Sequence, residues 1–285
     1  HLTDRLELAL TAFEVLRTPS RITGALRAGG TSALEAEYTG LAANARVDVD
    51  QKAHAMREHR IDAVFFGMPD YPSSLVSDRH PVAPIIFYRG NKELFYRDGI
   101  GMCGSRHVSD RGVEAASRCG RYATEMGLTV VSGYAAGVDT ATHLAALREG
   151  GSTVVVLAEG MDFFRVKRAF AADFDWDRIL VVSQFPPSQP WRAHAAMARN
   201  AIIFGLPKAL LVVEAGERGG TLAAGKGALK LGRSVIAVDF GDETPPGNRI
   251  LIEKGARAVR TPPQLRAAFY EVRSADPVVE SPTLF

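Results

Sequence analysis

Three stretches of this chain place glycine beside hydroxyl or basic side chains directly after a run of apolar, largely β-branched residues. That is the pattern of a turn whose backbone lets a phosphate approach closely. In CGSRHVSDRG, residues 103–112, Gly104 opens space, Ser105 offers a hydroxyl, and Arg106 supplies a planar fork that matches two phosphate oxygens. A helix opening near Ser109 or Asp110 would add unpaired N–H groups and a positive dipole end. The competing reading pairs Arg106 with a carboxylate such as Asp139. In SGYAAGVDTATH, residues 132–143, Ser132 and Gly133 make a tight exit from a strand, and Gly137 permits a close approach or a positive φ. Asp139 is placed to cap the next helix or to hold Arg106, because an unpaired carboxylate would repel phosphate. His143, four residues on and on the same helix face, reads as a packing residue before a base. In VVEAGERGGTLAAGKGALKLGR, residues 212–233, Glu214 ends a strand, Gly219 and Gly220 form the turn, and Thr221 either caps a helix or touches the ligand. Lys226 then either reaches the pocket or points to water.

Two further segments mix charge with rings. MDFFRVKRAF, residues 161–170, sets Arg165, Lys167 and Arg168 beside Phe163 and Phe164, a combination suited to single-stranded nucleic acid. Its bland reading is an exposed helix start. SQPWRAHAAMARNAI, residues 188–202, carries Trp191, Arg192, His194, Arg199 and Asn200. Trp191 either stacks a base or packs against helices, and packing is the expectation.

These turns need strands and helices to hold them. The chain has 285 residues and is 46% hydrophobic, enough for a large α/β domain plus a smaller one. Residues 1–58 read as a small helical domain. In it SRITGALRAGG is closed by Gly29 and Gly30, and a new helix is capped by Thr31 or Ser32. A plain packing role fits that module better than a DNA-contacting one. Residues 59–98, with DAVFFG and PIIFYRG, form an extended segment leading into the sheet. From 99 to 271, apolar strand-like runs alternate with amphipathic helices, which predicts an α/β fold: a Rossmann-like, mostly parallel sheet with helices on both faces. Ligands of such sheets lie at the carboxyl ends of the strands, where all three turns fall. Residues 272–285 read as a C-terminal tail, loose or docked.

Balance sets the remaining limits. Lys and Arg number 34 against 32 Asp and Glu, so a polyanion must meet a local pocket and not the whole surface. No apolar run approaches the roughly 20 residues of a membrane helix, and the N-terminus lacks the order of a secretory signal; a cytoplasmic protein is expected. The two cysteines, Cys103 and Cys119, form neither a disulfide framework nor a zinc motif. No metal, cofactor or catalytic residue is assigned. A nicotinamide cofactor is not expected, since no G-x-G-x-x-G opens a βαβ unit with an acidic residue about 20 positions later.

In order and spacing, "DYPSSL", "PIIFYRGNKELF", "CGSR", "VVSGYAAGVDTATHLAAL", "GGSTVVVLAEGMDFF", "ARNAII" and "VVEAGERGGTLAAGKGALKLGRSVIAV" resemble the DNA-processing protein A (DprA/Smf) family over roughly residues 60–262. The leading helical module suits that family as well. The resemblance implies a Rossmann-like protein that binds single-stranded DNA in a positively charged pocket and helps to load a RecA-type recombinase during natural transformation, as a homodimer and without a known enzymatic activity. It implies that Gly104, Ser105 and Arg106 form the first phosphate turn, Ser132, Gly133, Gly137 and Asp139 the second, Lys167 the basic position after "GMDFF", and Arg199 and Asn200 the Arg-Asn motif. Against the family pattern, Ala136 stands for Arg or Lys, Gln184 for Glu, Arg165 and Val166 for Tyr-Pro, and Ala201 for a second Arg. Each lost charged contact is worth roughly 1.5–3 kcal/mol, and Arg165 and Arg168 are the residues placed to compensate. A winged-helix domain, present in some members, finds no room after residue 270.

Two alternatives use the same pocket. "ERGGTLAAG" is a distant echo of a phosphoribohydrolase turn, but such a hydrolase needs a carboxylate at its oxocarbenium-like centre, and Thr221 is followed by Leu-Ala-Ala. Glu214 or Glu159 would have to substitute. The other alternative is a sensor that binds a small nucleotide and signals through the helical module.

Overall fold

The computed structural model describes residues 3–274. The chain opens with helix α1 (Arg5–Thr11), whose Asp4 and Glu7 form a reciprocal capping box, and continues through a π-helical turn (Ala12–Leu16). Helix α2 (Pro19–Gly40) starts on Thr18, which caps Arg21 N–H, and Pro19, while α3 (Ala43–Glu58) completes the helical module. The expected break falls at Gly30, which leaves helical geometry (φ 58°, ψ −152°), so the span Pro19–Gly40 is two helices that meet at a kink.

Strand β1 (Asp62–Phe65) follows, then a two-residue pair, β2 (Val76–Ser77) with β3 (His80–Pro81), and then β4 (Ile85–Gly90). The remainder alternates as read: β5 (Gly99–Cys103), α4 (Asp110–Glu125), β6 (Thr129–Gly133), α5 (Val138–Arg148), β7 (Thr153–Val156), β8 (Ile179–Ser183), α6 (Ala193–Gly205), β9 (Ala209–Val212), α7 (Gly220–Lys230), β10 (Ser234–Val238), α8 (Pro246–Glu253), β11 (Arg257–Val259) and α9 (Pro262–Ser274). Residues 272–274, expected in the tail, are the last turn of α9; residues 275–285 lie outside the described residues.

Nine strands make one sheet in the order β1-β4-β8-β7-β6-β5-β9-β10-β11. From β8 to β11 all pairings are parallel, whereas β4 runs antiparallel to β8 and β1 antiparallel to β4. The segment expected to lead into the sheet thus supplies two of its strands. One face is covered by α6, α7 and α8, whose Ile202, Leu222 and Leu251 pack on Val131, Leu210 and Val212. On the other, α4, α5 and α9 cover β5, β6 and β9 to β11, and the N-terminal helices cover β1, β4, β8 and β7. No α-helix follows β7; a crossover with two short 3₁₀ turns, bearing Phe164, Phe170, Phe174 and Trp176, fills that place. Among the described residues no helix is long and apolar enough to span a membrane, and Cys103 and Cys119 are unpaired and buried.

The chain runs outward from β5 through β6 and β7 to β8, then α6 carries it back across the sheet to β9 on the other side of β5. The order therefore reverses between β5 and β9, and open α/β sheets bind ligands at the carboxyl ends of such strands.

Candidate phosphate-binding site

At the switch point the first and third turns are tied together: Ser105 N–H donates to the Glu214 carbonyl at 2.8 Å. The second turn closes on the first. Gly137 has φ +80°, and a Cβ there would strike the backbone carbonyl oxygens of Ser105 and Arg106, so only glycine serves. Val138 N–H donates back to the Ser105 carbonyl at 3.3 Å, and Asn200 Nδ2 donates to the Gly220 carbonyl at 3.3 Å. Arg106, Gly133 and Gly220 therefore share one rim of the sheet.

A buried ionic layer underlies that rim. A Cβ on Gly133 would lie 2.5 Å from Asp139 Oδ2 and 2.7 Å from Arg199 Nη1, so the bare glycine admits both groups. Asp139, 5% exposed, does not cap α5, whose N-cap is Gly137; its carboxylate accepts from Ala135 N–H at 3.2 Å. Burial raises its pKa, partly offset by the Arg199 charge. Arg199, expected to meet phosphate, is 7% exposed and turned inward, donating to the Val156 carbonyl at 2.8 Å. Desolvation lowers its pKa. The Ser132 hydroxyl is likewise spent, donating to the Met102 carbonyl at 2.7 Å. His143 bridges the Gly133 carbonyl (Nε2, 2.7 Å) and Thr153 Oγ1 (Nδ1, 2.5 Å), and burial depresses its pKa to about 4. The Gly133 carbonyl can only accept, so Nε2 carries a proton, while Thr153 Oγ1 lies between Nδ1 and the Val130 carbonyl at 3.0 Å.

Exposed cations stand above this layer. The Lys167 ammonium folds back on Tyr134, donating to its carbonyl and lying 4.2 Å from its ring centroid, while Tyr134 Oη accepts from Lys167 N–H at 2.9 Å. The side chain reaches the surface, yet its ammonium is desolvated enough to fall below the ordinary lysine pKa. Nearby Glu159 and Asp139 oppose that fall, and Arg199 and Arg106 add to it. Arg106 is not ion-paired with Asp139. Its guanidinium stacks on Trp191, 5.3 Å from the ring centroid, and Trp191 is 48% exposed instead of packed away. A stacked guanidinium keeps its N–H edge free for an anion.

The helix ends differ. The N-terminus of α4, expected to be open, is filled: Ser109 caps Gly112 N–H, and Glu214 accepts from Ser109 N–H at 3.2 Å and Oγ at 2.7 Å. Glu214 is thereby engaged in capping and does not stand as a hydrolytic carboxylate. The N-terminus of α7 has no side-chain cap and no acid in its first turn. Gly219 (φ 106°), not Thr221, is its N-cap, so its N–H groups remain for an anion.

Some expected residues lie elsewhere. Arg165 turns to the opposite side of its loop, donating to the Asp162 and Phe164 carbonyls at 2.9 and 2.6 Å and lining a groove against the N-terminal helices. Arg168 opens a short 3₁₀ turn at the surface, and Lys226 is exposed in mid-α7. Sequence reasoning missed Tyr134, the anchor of Lys167, and undervalued Trp191. The Tyr within SGYAAG was a usable signal for the first; nothing local announced the second. Among the described residues no cluster of His, Cys, Asp or Glu is placed to hold a metal.

Comparison with known proteins converges on this architecture. The family model of DNA recombination-mediator protein A matches residues 62–269. DNA processing protein DprA of Streptococcus pneumoniae is 34% identical over 222 residues, spanning 76% of this chain and 78% of that protein. Protein Smf of Escherichia coli is 34% identical over 202 residues, spanning 68% of this chain and 52% of that protein. Among solved structures, DNA processing protein A from Streptococcus pneumoniae superposes with a TM-score of 0.66 at 27% identity over 92% of each chain. The Helicobacter pylori protein gives 0.64 at 16% identity, over 75% of this chain and 95% of that one. On the matched span, this chain belongs to the DNA recombination-mediator protein A family, DprA/Smf.

Proposed function

We propose that the rim formed by the Arg106, Gly133 and Gly220 turns binds the backbone of single-stranded DNA, and that the protein acts as a recombination mediator that delivers such strands to a RecA-type recombinase, working as a homodimer. One observation carries this reading: Arg106, Lys167 and the uncapped N-terminus of α7 present positive charge at one sheet edge, over a buried Asp139–Arg199 layer that holds the turns in place. The Helicobacter pylori neighbour is described as a single-stranded DNA binder with a unique binding mode. The half-exposed Trp191 beside Arg106 supports a preference for single strands, since unpaired bases offer faces to stack and duplex bases do not.

Arg106→Ala and Lys167→Ala test the proposal by fluorescence anisotropy with a labelled oligonucleotide. Each removes one charge-assisted phosphate contact and is expected to weaken binding by about tenfold. Unchanged affinity in both variants rejects the assignment, and tighter binding of a mononucleotide than of the oligonucleotide replaces it with a nucleotide-sensing role.

A further inference from the structure

Arg165, which does not join the cradle, opens onto a groove of about 880 Å3 between the helical module and the core. This volume falls within the range of small-molecule sites, and such sites favour the seams between structural units. The walls are apolar: Phe13, Val49 and Met56 come from the helical module, and Met161, Phe164 and Trp176 from the crossover after β7.

The strand register fixes the direction of the groove. Residues 162–165 and 186–188 lie past the carboxyl ends of β7 and β8, on the side of the cradle. Arg89 is on β4 and pairs with Val181, the middle residue of β8, and its side chain reaches toward the amino end of β8, where Trp176 lies. There the Arg89 guanidinium lies flat on Trp176, 4.1 Å from the ring centroid. Among the described residues no carboxylate or carbonyl accepts a hydrogen bond from it, and the neighbouring Arg60 adds a like charge. A guanidinium stacked by its face presents its N–H edge to an anion. Three carboxylates also line the groove. Asp48 is held by Lys52 at 2.6 Å, Asp162 sits at the cradle-side end, and Glu14 is the acid a ligand's head must avoid.

We infer that this groove binds a small anion with an elongated apolar body, its head on the edge of Arg89 and its body along the apolar walls. The site is separate from the phosphate rim and stands whether or not that rim binds DNA.

Isothermal titration of the full chain with decanoate tests it. One saturable site per chain is expected. Decanol, which keeps the body and lacks the charge, should bind about tenfold more weakly or worse. Arg89→Met should lower decanoate affinity to a similar degree; Arg106→Ala and excess oligonucleotide should leave it unchanged. The inference is overturned by absence of saturable binding, by equal affinity for decanoate and decanol on the unmodified protein, or by displacement of decanoate by the oligonucleotide.

Discussion

Arg106 and Trp191 form the part of the cradle that a ligand meets first, a guanidinium stacked on a half-exposed indole. If a base stacks on Trp191, Trp191→Ala removes about 1–3 kcal/mol per stacked base, a loss of roughly 5- to 150-fold, whereas Trp191→Phe keeps most of it. With Trp176→Phe as background, Trp191 becomes the sole indole, and its fluorescence should be quenched on titration with oligonucleotide; an unquenched signal denies it that role. Below the rim, His143 makes a different prediction. Its pKa is about 4 folded against 6.5 as a free side chain, so between those values the unfolded chain binds more protons. The stability due to the neutral ring is therefore complete above pH 6.5 and is lost as pH falls toward 4, to a limit of about 3 kcal/mol. Melting curves at pH 7 and pH 5 should show the drop, and His143→Gln should flatten it; equal slopes in both proteins would contradict the assignment. Gly104, Arg106, Gly133 and Gly137 were legible because a turn that must admit backbone or ligand leaves its mark in residue type. The inward turn of Arg199 and the exposure of Trp191 were not, because they depend on which face of α6 and its leading loop meets the sheet.

At the level of elements, the site is governed by which helix ends are filled. The α4 terminus is closed by Ser109 and Glu214, and the α7 terminus is left open by Gly219. Glu214→Ala should therefore cost about 1–2 kcal/mol in urea unfolding, through the lost cap and the orphaned Ser109 N–H. Oligonucleotide affinity should not decline with it, and a fall in affinity larger than the Arg106→Ala effect would move Glu214 from capping into ligand contact. The alternation of strand and helix from β5 to β11 was readable from apolar runs, since strands buried on both faces need them. That β1 and β4 join the same sheet was not, because DAVFFG and PIIFYRG announce strands without naming partners. The Gly29–Gly30 pair announced the break between the two helices of the Pro19–Gly40 span, and Gly30 makes it with its positive φ.

For the molecule as a whole, 34 basic residues against 32 acidic ones leave no general attraction for a polyanion, so affinity must arise where the fold concentrates charge. The reversal of strand order between β5 and β9 is that place: it gathers three turns, distant in the chain, at one edge and sets two exposed cations beside an open helix end. The helical module adds a second hollow on the far side of the same loop. The three turns were foreshadowed by local sequence, but their meeting depends on the crossover of α6. The central claim is local phosphate binding to a flexible strand, and the most direct measurement is oligonucleotide affinity against salt for single strand and duplex side by side. Two to four neutralised phosphates predict a log–log slope of about −1.5 to −3 for the single strand, reduced by about 0.7 in Arg106→Ala, with the duplex bound at least about tenfold more weakly. A flat salt response, or equal affinity for duplex and single strand, would contradict it.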